Sequence, residues 1–163
     1  MIKNEALALL NQNTKTFISS EEILLNKGYS QQFNLYLKGK KITDNCQKMP
    51  ITCNLIEKIK PATSCTRGQI KLSFLSGNSK TFPNCGPTNS RIRSHLGLIV
   101  PKGDCKLRIL NETIEWQEGG ILVFDDSFEH EIWNNESNDL LILIVDFWHP
   151  DLDTIKWSEL EPI

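Results

Sequence analysis

Three histidines bound the imidazole chemistry open to this 163-residue chain: His95, His130 and His149. Any metal centre or acid–base device that needs imidazole must draw on them. The densest run of usable groups is Arg91-Ile92-Arg93-Ser94-His95-Leu96. Alternate side chains of a strand share a face, so Arg91, Arg93 and His95 stand together, opposite Ile92, Ser94 and Leu96. Two guanidiniums and an imidazole on one face can grip a carboxylate through charge-assisted hydrogen bonds. On pattern alone the plainer reading leads: a solvated edge strand paired with nearby acids, since surface arginine is common.

A second stretch runs from Phe124 to Trp133. Asp125, Asp126 and Ser127 fit a polar turn that feeds a strand on which Phe128, His130 and Ile132 share a face. A lone histidine between apolar residues is ordinarily part of a wall, and it becomes a ligand only with a second donor beside it. Glu129 and Glu131 point away from His130 along that strand and read as solvent-facing. His149-Pro150-Asp151 has the H-x-D spacing of two ligands of a facial triad. It follows the last predicted strand, and reads as a structural corner. Trp116, Trp133 and Trp148 read as packing residues of the wall.

The elements that must position these groups change character along the chain. Glu5 to Asn11 is a helix candidate from its strong helix formers. Ser19-Ser20-Glu21-Glu22 reads as the capped start of a second helix that stops at Gly28. Phe33, Leu35 and Leu37 alternate as in a strand, while Ile51, Leu55, Ile56 and Ile59 have helical spacing up to Pro61. From Gly68 onward short strands alternate with turn residues: 68–75, 90–100, 106–110, 113–116, 121–124, 128–133 and 140–148. A mixed, partly helical lead-in over 1–66 and a jelly-roll or small-barrel core over 67–152 follow, in one domain of 1–163, with helices shielding the outer face.

Composition narrows the partners. Lys and Arg number 18 against 20 Asp and Glu, a formal charge of −2. A phosphate-neutralising nucleic-acid binder is strongly basic, so none is expected. The longest apolar run, Leu140 to Val145, is too short to span a bilayer, and the first residues lack a signal-peptide core. A soluble, cytoplasmic protein with no membrane partner is expected. The five cysteines show no CxxC and read as free thiols, several of them buried. The sequons at Asn111 and Asn135 read as turns.

Taken in order, GQIKLSFL, GPTNSRIRSHLGLIVP, LRILNET, FDDSFEHEIWN and LILIVDFWHPDL resemble the aspartyl/asparaginyl β-hydroxylases over roughly Arg67 to Leu152. The resemblance implies a double-stranded β-helix, a cupin-like jelly roll. It implies hydroxylation with Fe(II), 2-oxoglutarate and O2, on an amino acid, a peptide or a carrier-bound residue. It assigns Ser73, Arg93 and His95 to 2-oxoglutarate and His130 to iron. Two positions depart from the family pattern. Asn84 stands where the proximal iron histidine belongs, and Leu140 where an arginine grips the far carboxylate of 2-oxoglutarate. Gly86 matches the glycine that replaces the usual triad carboxylate in this family.

Three readings are compatible with these residues. The first is an oxygenase whose iron is held by His130 with Asn84. The second is a metal-free cyclase, lyase or isomerase using Arg93 with His95 or His130. The third is a non-catalytic protein that binds a carboxylate or peptide.

Overall fold

The computed structural model describes residues 1–12, 16–20 and 24–163. Helix α1 (Ile2–Gln12) is followed by strands β1 (Ile18–Ser19), β2 (Leu25–Lys27), β3 (Ser30–Leu37) and β4 (Lys40–Lys41). Three short helices come next: α2 (Thr43–Lys48), α3 (Pro50–Ile56) and α4 (Lys60–Thr63). Strands β5 (Gln69–Leu75), β6 (Ser79–Thr81), β7 (Arg91–Ile99) and β8 (Cys105–Ile109) begin the core. It is completed by β9 (Glu112–Glu115), β10 (Ile121–Phe124), β11 (His130–Asn134) and β12 (Leu140–Trp148). A 3-10 turn at Thr154–Ser158 follows.

The strands form two antiparallel sheets. The larger runs β1-β3-β5-β12-β7-β10, with β4 on β3, and the smaller β2-β6-β11-β8-β9. This is the double-stranded β-helix expected, and each strand read from the alternation pattern between 68 and 148 is present. Two apolar cores result. One packs α1 to α4 on the outer face of the larger sheet around Leu9, Phe33, Leu35, Met49, Ile56 and Leu72. The other fills the space between the sheets around Leu75, Leu107, Trp116, Leu140, Ile142 and Ile144. Along β12, even-numbered residues face inward and odd-numbered ones face the helices, so the strand is apolar on both faces.

The lead-in departs from the sequence reading. Leu25–Lys27 is a strand, not the end of a capped helix, and Glu21, Glu22 and Ile23 lie outside the described residues. Leu37 is exposed because a bulge between Asn34 and Tyr36 shifts the register of β3. Helix α3 forms, but it buries Thr52, Cys53 and Ile56 and leaves Ile51 and Leu55 exposed. Its first turn has no cap from its own chain end. Glu5 of α1 supplies one, accepting hydrogen bonds from Ile51 N, Thr52 N and Thr52 Oγ1 at 2.8, 2.8 and 2.6 Å.

The expectation of five free thiols is corrected: Cys46 and Cys53 form a disulfide that joins α2 to α3. Their spacing carries no CxxC motif, and only the packing of two short helices brings them together. Cys65 and Cys105 are buried, and burial pushes both thiols up to about 12. Cys85 is exposed. Under native, non-reducing conditions a thiol reagent should therefore modify one cysteine per chain quickly, and peptide mapping should place it at Cys85. Cys46→Ser with Cys53→Ser should lower unfolding stability by about 2 kcal/mol, as closing so short a loop allows. Equal rapid labelling of five thiols would refute the pairing.

Candidate functional site

The inner face of the larger sheet is a grid set by strand register. Across β5, β12, β7 and β10, one row reads Lys71, Ile144, His95, Leu122. Beside it on one side lie Asp146, Arg93 and Phe124. On the other lie Gln32, Ser73, Ile142 and Gly97. Arg91, Arg93 and His95 are 3, 6 and 2% exposed, so the shared face predicted for them points into the barrel. The solvated-edge reading is thereby overturned for Arg91 and Arg93. It describes Arg108 better, which pairs with Glu131 at 2.8 Å and Glu129 at 3.1 Å away from the cavity.

Two buried carboxylates hold the arginines. Asp146 receives Arg93 Nε at 2.7 Å and Nη2 at 3.0 Å. Asp126 receives Arg91 Nη2 at 2.7 Å and Nε at 3.3 Å. Cross-contacts link the pairs: Arg91 Nη1 is 3.2 Å from Asp146, and Arg93 Nη1 is 3.5 Å from Asp126. Both acids are fully buried. Burial opposes the Arg91 charge, but Asp146 and the Asp126 hydrogen bond outweigh it and raise its pKa. Asp125 does make the turn, accepting from Ser127 N at 2.9 Å. Asp126, read as a turn residue, instead points inward, a correction that only the arginine partners explain.

The smaller sheet brings the other half. Asn84 and His130 form an isolated antiparallel bridge, with backbone hydrogen bonds of 3.0 and 2.9 Å. His130 is 7% exposed. Its Nδ1 lies 2.9 Å from the Phe128 carbonyl. A carbonyl only accepts, so Nδ1 carries a proton, and the neutral tautomer that fits this contact has its lone pair on Nε2. Phe124 packs edge-on between the rings of His95 and His130, at centroid distances of 4.9 and 5.8 Å. Trp116 stacks on His95 at 6.1 Å. Gly86 donates to Asp126 O at 2.6 Å, and a Cβ there would lie 2.4 Å from Asp126 Oδ2. Nothing larger than glycine fits against that carboxylate.

These groups line a single cavity of about 130 Å³. Ser73, Asn84, Arg93, His95 and His130 all face it, so every site residue expected from the sequence converges. Asp126, Thr81, Ile132 and Ile144 also line it. Asp146, which holds Arg93, was missed as well. Asp146 interrupts an apolar run on its inward parity, which was the available signal. Leu140 is 1% exposed and part of the interior apolar cluster, so it brings no charge. His149 lies at a chain corner, where Nδ1 accepts from Asp151 N at 3.2 Å. Trp148 is buried and donates to Ser64 O, as a packing residue should. Trp133 lies on the surface under the Lys80 ammonium. Among the described residues no three His, Cys, Asp or Glu side chains cluster as metal ligands, and no helix is long and apolar enough to cross a membrane.

The family model for aspartyl/asparaginyl β-hydroxylase matches residues 1–150. The chain belongs to the aspartyl/asparaginyl β-hydroxylase family. The human aspartyl/asparaginyl β-hydroxylase is 46% identical over 152 residues, covering 93% of this chain and 20% of that protein. Aspartate β-hydroxylase domain-containing protein 2 of Xenopus tropicalis is 33% identical, over 95% of this chain and 47% of its own length. The chain thus spans about a fifth of the first of these relatives. Among solved structures, the plu4264 protein of Photorhabdus luminescens overlays with a TM-score of 0.50 at 10% identity, covering 91% of this chain and 92% of that one. That likeness concerns the fold alone. The match from residue 1 shows that the helical lead-in belongs to the family as well, although its sequence carries no motif.

Removing one member of the buried cluster strands its partner. Asp146→Ala should cost about 3–5 kcal/mol in urea unfolding, because Arg93 is left buried without its bidentate carboxylate. A loss below 1 kcal/mol would show that the cluster does not set the site.

Proposed function

We propose that this hydroxylase-like chain is a working Fe(II)- and 2-oxoglutarate-dependent oxygenase that hydroxylates an amino acid, or a peptidyl or carrier-bound residue. The observation that supports it is His130, whose ring is fixed through Nδ1 and which lines one cavity with Arg93, His95 and Ser73. A backbone acceptor on the far nitrogen is the usual support of a metal-bound imidazole. The donors that would hold a ferrous ion are His130 Nε2, the amide oxygen of Asn84, which shares the cavity, and water. An amide oxygen is a weaker ligand for iron than the imidazole it replaces. When bound, iron with the 2-oxo acid supplies the O2 chemistry that places an oxygen atom in a C–H bond.

The chain's own residues supply orientation. Arg93, held by Asp146, and His95, wedged between Trp116 and Phe124, present cationic and hydrogen-bonding groups to the 2-oxo acid head. Ser73 offers a hydroxyl farther along the same wall. Ile132, Ile144 and Leu24 give that wall an apolar surface that excludes water. Nothing in this arrangement favours nucleic acid or lipid as a partner. Family membership does not favour the metal-free or the purely binding reading.

Purified protein with Fe(II) and 2-oxoglutarate should release succinate, and His130→Ala should abolish this. Asn84→His should tighten Fe(II) binding by at least about tenfold, read by anaerobic titration. Wild-type protein that neither binds Fe(II) nor consumes 2-oxoglutarate would refute the proposal.

A further inference from the structure

The cavity makes no use of the segment that follows β12. His149 starts it, and its N–H donates to Ser90 O at 2.9 Å, where the loop before β7 ends. His149 Nδ1 then helps turn the chain by accepting from Asp151 N. Asp153 caps the 3-10 turn at Thr154–Ser158, its Oδ1 accepting from Ile155 N at 3.1 Å. That turn lays Trp157 on Trp148, with ring centroids 6.2 Å apart and planes 19° apart. Trp157 Nε1 is shielded and finds no hydrogen-bond partner among the described residues, so the ring holds by its face. Farther on, Leu160 O accepts from Thr66 Oγ1 at 2.9 Å, and Glu161 O accepts from Arg67 Nε at 3.0 Å.

Thr66 and Arg67 belong to the turn 65–69, and the other side of that turn backs the buried charge cluster. Arg67 O accepts from Arg91 Nη1 at 2.6 Å. Gln69 N donates to Asp146 Oδ2 at 3.1 Å. A Cβ at Gly68 would lie 2.7 Å from Asp146 Cβ, so the backbone rests directly on the acid. Trp148, against which Trp157 stacks, is the cross-strand neighbour of Arg91 and donates to Ser64 O. Arg91 in turn holds Asp126, whose backbone carbonyl accepts from Gly86 N in the loop that carries Asn84. A contiguous set of contacts therefore runs from the segment, through the turn and the cluster, to that loop. Weakening its outer end lets the turn move, and the cluster must follow, because its buried donors and acceptors have to stay paired.

We infer that residues 149–163 are a strap for this site, and that Trp157 and Thr66 are positioning residues that act through the turn 65–69 on the cluster and on the Asn84 loop. Neither residue lines the cavity. The strap acts behind the site whichever ligand the site takes, and only its effect on 2-oxoglutarate rests on the oxygenase reading.

Amide exchange in the full chain without ligand, read residue by residue by NMR, tests this. Trp157→Ala should speed exchange at the Asn84 and Gly86 amides at least about tenfold, and Thr66→Val at least about threefold, while Leu107 in β8 keeps its wild-type rate. Trp157→Phe should keep the slow rates, since the stack and not the indole N–H is used. With Fe(II) present and O2 excluded, Trp157→Ala should bind 2-oxoglutarate about fivefold more weakly. Faster exchange confined to 149–163 and 65–69 overturns the inference, since the strap then only covers the turn. An equal rise at Leu107 also overturns it, as the mark of general destabilisation. Unchanged 2-oxoglutarate affinity in Trp157→Ala, beside binding by wild type, overturns the positioning role. If Trp157→Ala does not fold, Thr66→Val decides, and unchanged exchange at Asn84 and Gly86 overturns the strap. If the exchange pattern holds and wild type binds no 2-oxoglutarate, the oxygenase reading falls and the strap stands.

Discussion

Four buried charges organise this molecule: Arg91, Arg93, Asp126 and Asp146. Each lies at or below 6% exposure, and each arginine touches both acids. A buried ion is tolerable only if it is paired and its remaining donors are satisfied. Here the acids come from two separate places, the end of β12 and the loop before β11. The cluster therefore ties β7, β12 and the loop carrying Asp126 into one arrangement. The same loop leads into His130, and Gly86 packs against Asp126 with no room for a side chain. The geometry of both halves of the cavity thus follows from the cluster, and so does the orientation of Arg93.

The departures from the family pattern fall outside that cluster. Asn84 lines the cavity, and Leu140 lies in the apolar cluster between the sheets. Asn84 still bridges His130 through its backbone, so the exchange of side chain leaves the strand contact intact. Leu140 is absorbed by apolar neighbours that a buried arginine would have had to displace. The two exchanges change the donor chemistry and leave the electrostatic frame in place.

Much of the fold was legible because inward and outward positions alternate cleanly in β5, β7, β10 and β11, and turn residues separate the strands. The alternation put Arg91, Arg93 and His95 on one face, and the structure points that face into the barrel. What the pattern could not carry was partnership across the chain. Asp126 looks like turn residue in Asp125-Asp126-Ser127, and only Arg91, 35 residues earlier, draws it inward. Asp146 looked like the boundary of an apolar run until register set it opposite Arg93. Lys71 in GQIKLSFL is buried on β5, where it donates to Gln32 from the lead-in. The disulfide was hidden for the same reason, because helix packing, not spacing, pairs Cys46 with Cys53. The β3 bulge moved Leu37 outward, a local irregularity that period-two alternation cannot encode.

The proposed oxygenase depends on His130 Nε2 as the point where a metal meets the protein. Crystals grown without oxygen in the presence of Fe(II) and 2-oxoglutarate, measured on both sides of the iron absorption edge, address this directly. An anomalous peak within bonding distance of His130 Nε2, in the cavity beside Asn84, is the predicted result. No peak in that cavity at full iron loading, or a peak on any other side chain alone, would contradict it.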